Sequence, residues 1–497
     1  MSKRIKTLII VGVAILLLVA AVVVLLMLPE IKEQGGDEKD DSIVLIEKGD
    51  KVTVTSVSVT YNGEDYRLYT DKDGEWLIEN YEDLPVDTVS IDSLTDYMLS
   101  LKADKKLHDS TDSPADFGLE KPVATYRVTY NDGSEYAFEV GNKSPSNDGY
   151  YLRQQGDEAI YLIGTYKGSL FCDDVRAYVE TTMVTTPAIN ADDKNGASTI
   201  LQAQISGTAH KEVLCYHSIT EKVSDEFPYS SYYLSKPYRI GISLYSDVET
   251  MVSEIRTLNA LKAEILYPTD EQIKECGLDN PTTKLELELA IRTYDTDEDG
   301  KITNYRNYNY MKYDVIFGGT TEEGYYYAMV DGVDVIYCVS KDSVKWIDME
   351  YDDIASDTLF MRDITTIGSI SMTYNGAEHT FELTHKNTTD VNEENLRVTI
   401  DGDKTGDTTQ FRKLYQVLTK VPRIDSATKP DEDPAVVIKV FTTDGKKVVH
   451  AKMYKRTAST YACEQMNGEV YAVSASTVED LLEQTDNFVA GKNVSVS

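Results

Sequence analysis

From about residue 42 onward the sequence repeats itself with a period of about 155 residues, which is too long for a solenoid and the size of a domain. The firmest element is a proline followed by an alternating strand. Residues 117–141 read FGLEKPVATYRVTYNDGSEYAFEVG, residues 276–291 read CGLDNPTTKLELELAI, and residues 431–449 read DEDPAVVIKVFTTDGKKVV. The prolines, Pro122, Pro281 and Pro434, lie 159 and 153 residues apart. Counted from each proline, the apolar positions keep one parity: Tyr126 and Val128, Leu285 and Leu287, Ile438 and Val440. Strand side chains alternate faces, so the same face of each strand is expected to meet a core. Asn131-Asp132-Gly133 and Asp444-Gly445 provide the tight turns that send the chain back.

Other elements recur in the same order. A tyrosine-rich pair follows each hairpin: Tyr150-Tyr151 with Tyr161, Tyr325-Tyr326-Tyr327 with Tyr337, and Tyr461 with Tyr471. Each hairpin is preceded by an apolar stripe at i, i+3, i+4 and i+7, which predicts an amphipathic helix. The stripes are Leu94, Tyr97, Met98 and Leu101; Val248, Met251, Val252 and Ile255; Phe411, Leu414, Tyr415 and Leu418. Further upstream, the identical turn Thr60-Tyr61-Asn62-Gly63 recurs as Thr373-Tyr374-Asn375-Gly376, with a degenerate version near Gly207. A stripe and an alternating strand each have one apolar side that must be covered. The expected fold class is therefore α+β: an N-terminal transmembrane helix, then three related β-rich repeats, each a mostly antiparallel sheet with one packed amphipathic helix.

The transmembrane helix is read from residues 7–28, which contain no charge, Asn, Gln or Pro and follow Lys3, Arg4 and Lys6. As a helix these residues would span ~33 Å, the thickness of a bilayer core. A cleavable signal peptide has a shorter apolar stretch and an A-x-A-like site, and neither feature is seen here. Basic residues before the apolar run, against Glu30, Glu33, Asp37 and Glu38 after it, place the N-terminus in the cytoplasm and the body outside it. The expected organisation is a cytoplasmic tip and anchor over 1–28, a flexible stalk over 29–41, repeats over 42–183, 184–357 and 358–488, and a tail over 489–497. The expected location is the cell membrane, single-pass, with an extracytoplasmic body. The 84 acidic against 49 basic side chains leave a net charge of −35, which repels nucleic acid and attracts cations and basic partners. The five cysteines (Cys172, Cys215, Cys276, Cys338, Cys463) show neither a disulfide framework nor metal-ligand spacing.

An N-terminal anchor followed by Phe-Gly-Leu-x-x-Pro-x-Ala, alternating strands, a glycine turn and a Gly-Tyr-Tyr strand resembles the domain-of-unknown-function 4340 family. The first repeat matches through Phe117, Gly118, Leu119, Pro122, Gly141 and Tyr151. The second keeps Gly277, Leu278 and Pro281 but has Cys276 for the aromatic, and the third retains Pro434 and the strand pattern. The resemblance implies a bacterial, membrane-anchored protein of the kind often encoded beside ABC-type export systems. It implies no catalytic residues.

Chemistry-bearing motifs are sparse. Asp295-x-Asp297-x-Asp299-Gly300 reproduces the start of a calcium loop, in which alternate carboxylates converge on one hard cation. Position twelve is Arg306 where a bidentate carboxylate should close the shell, so Asp295, Asp297 and Asp299 form at most a weak Ca2+ site, and a solvated acidic hairpin tip is the plainer reading. The six histidines show no zinc-protease spacing; His379 and His385 fall in a predicted hairpin where they could face each other. Nucleophile elbows, Walker loops and dinucleotide fingerprints are missing from the sequence. Most of the 35 tyrosines alternate within strands, whereas residues 229–233 (YSSYY) and 305–310 (YRNYNY) form clusters in insertions of the second repeat. The expected function is non-enzymatic: an extracytoplasmic binding or scaffolding protein, accessory to an ABC-type transporter or envelope machinery, without a cofactor. A cell-surface adhesin or glycan-binding protein, or an envelope hydrolase, are the alternatives. Function is expected in a pocket that one repeat carries and its siblings lack, with the expanded second repeat favoured.

Overall fold

Alternation of apolar and polar residues dominates the body, and strands result. The computed structural model describes residues 42–496 except 110–112, 225, 228–229, 243–247, 299–301, 357, 361, 387–391 and 393. Residues 1–41, with the expected anchor and stalk, lie outside the described residues. Among the described residues no helix is long and apolar enough to cross a membrane. The chain forms two units, one of residues up to Glu82 with Thr88–Tyr178, the other of Asp83–Asp87 with Val179–Ser497.

The first unit contains strands β1 (Ile43–Glu47), β2 (Val54–Tyr61), β3 (Glu64–Thr70) and β4 (Trp76–Ile78), then helix α1 (Thr88–Leu99). Strands β5 (Ser100–Ala103), β6 (Lys105–His108), β7 (Ala124–Tyr130), β8 (Glu135–Lys143), β9 (Gly149–Gln154) and β10 (Ile160–Gly164) follow. β1 pairs with β5, and the remaining strands form a sheet in the order β4-β3-β2-β7-β8-β9-β10-β6. Two outward-running meanders thus meet at β2 and β7, with α1 on the connection between them.

The second unit holds two sheets. One comprises β11 (Ala197–Ser206), β12 (Leu214–Ser218), β13 (Tyr232–Lys236), β14 (Ile240–Gly241), β15 (Lys262–Leu266), β16 (Thr283–Thr296), β17 (Ile302–Thr320), β18 (Tyr326–Val330) and β19 (Val335–Val339), ordered β14-β13-β12-β11-β16-β17-β18-β19-β15. Helix α2 (Val248–Arg256) connects its two meanders. The other comprises β20 (Ile367–Tyr374), β21 (Ala377–His385), β22 (Leu396–Ile400), β23 (Lys404–Gly406), β24 (Val436–Thr442), β25 (Lys447–Lys455), β26 (Thr460–Glu464) and β27 (Val470–Ser474), ordered β23-β22-β21-β20-β24-β25-β26-β27. Here α3 (Thr408–Thr419) makes the connection, its first turn capped by Asp407, whose carboxylate accepts from the Gln410 amide at 2.8 Å. In place of an outer edge strand, residues 424–427 bond β27 through Ile424, Asp425 and Ala427. The body is β-rich, with antiparallel sheets and few helices.

The parity read from the prolines holds in three dimensions. Tyr126, Val128, Leu285, Leu287, Ile438 and Val440 are all buried. The α2 and α3 stripes are buried throughout, whereas α1 stops at Leu99 and Leu101 is buried from β5 instead. The helix stripe and the in-facing strand position coincide at that residue, so its apolarity could not mark the helix end. One expectation needs correction, because the first and third sheets each pack a second helix: Thr165–Leu170 lies against β8, β9 and β10, and α4 (Ala475–Val489) lies beside α3, with Phe381, Phe411 and Phe488 meeting there. Val494, in the expected tail, is also buried in this core.

Two glycine pairs give the Gly-Leu-x-x-Pro motif a physical meaning. Gly118 and Gly277 both adopt φ +71°, a conformation that disfavours side chains. The loop each ends then rests on a glycine of the neighbouring hairpin: a Cβ on Gly141 would overlap the Phe117 carbonyl oxygen, and one on Gly318 would overlap that of Cys276. Leu119 and Leu278 follow into the core. Gly141→Ala and Gly318→Ala should each destabilise the fold by about 1–3 kcal/mol through overpacking. Gly49→Ala, where a Cβ meets nothing, should stay within about 0.5 kcal/mol of the parent in urea denaturation.

Candidate functional site

Glu469 begins as a violation of strand patterning. It stands just before β27, after the turn at Gly468 (φ +89°), and shares parity with buried Tyr471 and Val473. A charge therefore points where the strand sends its apolar side chains. The residue is 2% exposed. Two groups from distant parts of the chain meet one of its oxygens. Tyr351, on the short helix Tyr351–Ile354 that leads from the second sheet to the third, donates its hydroxyl to Glu469 Oε1 at 2.9 Å. Arg423, just after α3, directs Nη2 to the same oxygen at 2.8 Å and to Asp352 Oδ1 at 3.0 Å. The guanidinium, 8% exposed, sits 4.8 Å from the Tyr351 ring centroid and 5.5 Å from that of Tyr471. Among the described residues, Glu469 Oε2 and Arg423 Nη1 are buried without a hydrogen bond. Burial pushes the Glu469 carboxyl above its ordinary value, and the nearby Arg423 charge opposes that rise.

Glu469 lines a cavity of about 480 Å³ within the second unit. One wall is the insertion between β12 and α2, with Phe227, Tyr238 and Arg239; the other comes from Phe360, Gln465 and Tyr471. Backbone and side-chain bonds fasten the walls together: Ile242 bridges Ala355, Ser356 N–H donates to the Gly241 carbonyl at 3.1 Å, and Asn467 Nδ2 donates to the Arg239 carbonyl at 3.2 Å. Arg239 is held in a fork by Glu226, with both N–H···O distances 2.9 Å, and lies 4.7 Å from the Tyr233 ring centroid. Tyr233 stacks on Phe227 at 5.2 Å and on His217 at 5.1 Å. The arginine bonds hold the Glu226 carboxyl below its ordinary value, while burial, aided by Arg239, lowers His217.

Ser235, also on the wall, shares a 2.8 Å hydrogen bond with His217 Nε2, and Cys215 Sγ lies 3.4 Å from the same nitrogen. Among the described residues no carboxylate bonds the other ring nitrogen, so the group that fixes the tautomer in a catalytic triad has no counterpart. A cavity of about 490 Å³ on the sheet of the first unit is different in kind. Its charges pair on an open surface, as in Arg67–Glu79 at 3.2 Å with side chains 43% and 47% exposed.

The residues singled out in the sequence fall elsewhere. Asp295 and Asp297 sit near the tip of the β16–β17 hairpin, and Asp299 lies outside the described residues. Asp295 accepts from Arg306 Nη2 at 2.8 Å, so the cation at loop position twelve engages a presumptive metal ligand. Among the described residues no group of three His, Cys, Asp or Glu could hold a metal. His379 and His385 do not face each other: both are on β21, six residues or ~20 Å apart along one strand. His379 instead bonds Asp401 at 3.0 Å and His385 the Ile367 carbonyl at 2.9 Å. All five cysteines are free thiols. Of the tyrosine clusters, Tyr233 supports the cavity wall and Tyr310 is exposed on β17. The sequence reading missed Glu469, Arg423 and Tyr351. The legible signal was an acidic residue at core-facing parity in Asn467-Gly468-Glu469-Val470-Tyr471.

Antiparallel double-meander sheets, with a half-bonded carboxylate buried beside a cavity, define a β-rich protein. The chain belongs to the family described as domain of unknown function (DUF4340), whose model matches residues 76–195 and 245–437, well over half of its length. Tyr351 and Arg423 fall within the matched stretches and Glu469 beyond them. No curated protein and no solved structure matches the chain.

The cluster predicts a pH signature. A carboxyl raised by folding binds its proton more tightly in the folded than in the unfolded chain. Its contribution is therefore most favourable below its ordinary pKa of 4.5 and declines as pH rises through the folded value. Urea denaturation at stepped pH should show wild-type stability, relative to Glu469→Gln, falling as pH increases from about 4.5. A relative stability that rises with pH would contradict this assignment.

Proposed function

We propose that this chain is a membrane-anchored, extracytoplasmic binding or scaffolding protein, accessory to an ABC-type transporter or another envelope machine. It is built from three copies of one unit, and the cavity beside Glu469 is its recognition site. The observation that carries the binding role is that cavity, whose lining combines the aromatic Phe227, Tyr238, Phe360 and Tyr471 with the charged Glu226, Arg239, Arg362 and Glu469. A concave site lined by aromatic surface with a few polar groups is where proteins hold small ligands or partner side chains.

Three features support the triplication. Each sheet joins two outward meanders at their first strands, each has a helix on the connection, and each places the strand after its proline at the centre. The turn pair Asn62-Gly63 (φ +49° and +88°) recurs as Asn375-Gly376 (φ +51° and +79°). The third copy departs from the glycine motif in a coherent way. Tyr454 stands where the hairpins of the first two carry Gly141 and Gly318, and Lys429 covers its ring at 5.2 Å. The membrane anchor and the orientation rest on residues 1–41 and their charge asymmetry. A net charge of −35 favours basic partners over nucleic acid or anionic lipid.

A photo-reactive residue placed at Met466, exposed on the rim of the cavity, tests the reading in native membranes. The expected product is a crosslink to an integral membrane protein, with the chain itself retained in the membrane after alkaline extraction. Release of the intact chain by alkali, or recovery without any membrane partner, would contradict the proposal.

A further inference from the structure

We propose that the outer face of the third sheet, around His450, binds a phosphate group held by Lys439, Lys447 and Lys452. This goes beyond the binding role of the cavity beside Glu469 and does not rest on it. The first ground is a local reversal of charge. Residues 435–457, which contain β24 and β25, carry Lys439, Lys446, Lys447, Lys452, Lys455 and Arg456 against Asp444 alone. That is a net charge of +5 inside a chain of −35. Like charges on neighbouring strands repel, so the concentration costs stability that a bound anion would return. Because the body as a whole repels anions, the patch acts within about 8 Å, the reach of a charge at physiological salt.

Geometry is the second ground. Ile438, Val440, Val449, Ala451 and Met453 are buried, so Lys439, His450 and Lys452 share the opposite face of their strands. Lys439 is the cross-strand partner of His450. Burial, Lys447, Lys452 and Lys439 hold the His450 imidazole below its ordinary value, and Glu464 opposes them. Glu464 is already shared: Lys452 Nζ at 3.3 Å, Lys429 Nζ at 3.4 Å and the Tyr454 hydroxyl at 2.7 Å all reach its Oε2. Among the described residues Lys439 and Lys447 have no ion pair. Four lysines against one carboxylate leave this patch at +3. The other acids stand apart. Asp444 is offset by Lys446, whose backbone N–H it accepts at 3.3 Å. Glu378 and Glu382 lie on β21, two strands or about 10 Å from β24. Asp431, Glu432 and Asp433 precede Lys439 by at least six residues, about 20 Å of extended chain.

The third ground is the kind of donor. Ammonium groups meet phosphate as point charges, whereas a carboxylate is matched by the planar fork of an arginine, and His450 is ringed by lysines. The position five residues after Pro122, Pro281 and Pro434 holds Arg127, Glu286 and Lys439. Arg127 pairs with Glu135 at 3.2 Å and Glu286 accepts from Gln204, while Lys439 is left for a ligand.

The test uses the full chain in nonionic detergent and four probes in isothermal titration: inorganic phosphate, glycerol 3-phosphate, phosphatidylglycerol in mixed micelles, and acetate. Saturable binding of a phosphate probe is expected, weakened at least about tenfold by the double variant Lys439→Gln and Lys447→Gln, the scale of one charge-assisted hydrogen bond. Neither lysine has an ion pair among the described residues, so the double variant should fold like the parent. Lys72→Gln, at an exposed lysine of the first unit, should leave binding unchanged. The His450 ring signal, assigned in NMR spectra by its loss in His450→Gln, should titrate about one pH unit higher with phosphate bound. That shift decides the matter if the double variant folds poorly. Preference for glycerol 3-phosphate supports a phosphorylated solute as the ligand, and preference for phosphatidylglycerol supports a lipid headgroup. Equal binding by a folded double variant, or a His450 titration that phosphate leaves in place, overturns the proposal. Acetate binding as tightly as phosphate overturns the phosphate assignment, and silence from all four probes overturns it as well.

Discussion

The bond between Glu469 and its two partners fixes how the second and third sheets meet. Tyr351 comes from the link between the sheets, Arg423 from the segment after α3, and Glu469 from the turn that starts β27. Taking such charges out of water costs several kcal/mol per ion before any pairing, so a well-packed apolar trio could be as stable or more so. What the polar trio supplies is direction. A hydroxyl, a guanidinium and a carboxylate satisfy one another in few arrangements, and here they hold Glu469 at the edge of a cavity. The bridge of Ile242 to Ala355 and the bonds from Asn467 and Ser356 hold the surrounding backbone to the same geometry.

The sheets tolerate this cluster because their own cores are settled independently. Each central strand, β7, β16 or β24, buries the side chains of one parity, and a slip of one residue would expose all of them. The glycines at 141 and 318 let the preceding loop sit directly on a hairpin strand. In the third sheet α4 gives a second helical cover, and its phenylalanine at 488 meets those at 381 and 411. Register is therefore fixed by apolar surface and close backbone contact, and the polar junction can specialise.

Much of this was legible in the residues. Proline spacing and strand parity located the central strands, and Val248, Met251, Val252 and Ile255 marked α2 without error because every residue of that stripe is buried. Helix α4 escaped because its inner face includes Gln484 and Thr485; both are buried, and Thr485 returns its hydroxyl to the Leu481 carbonyl at 2.7 Å. A stripe that carries polar side chains does not read as apolar periodicity. The calcium-like run is visible in sequence because its carboxylates, Asp295, Asp297 and Asp299, alternate within five residues. The cavity went unseen for the opposite reason: Tyr351, Arg423 and Glu469 are scattered over more than a hundred residues, and only the folded junction brings them together.

The central claim is that this trio couples the second and third sheets energetically as well as geometrically. A double-mutant cycle with Tyr351→Phe and Glu469→Gln, read by equilibrium urea denaturation, measures that coupling without removing bulk from the core. The account predicts an interaction energy of about 1 kcal/mol or more, as found for residues in one hydrogen-bonded network. Strict additivity of the two substitutions would contradict it.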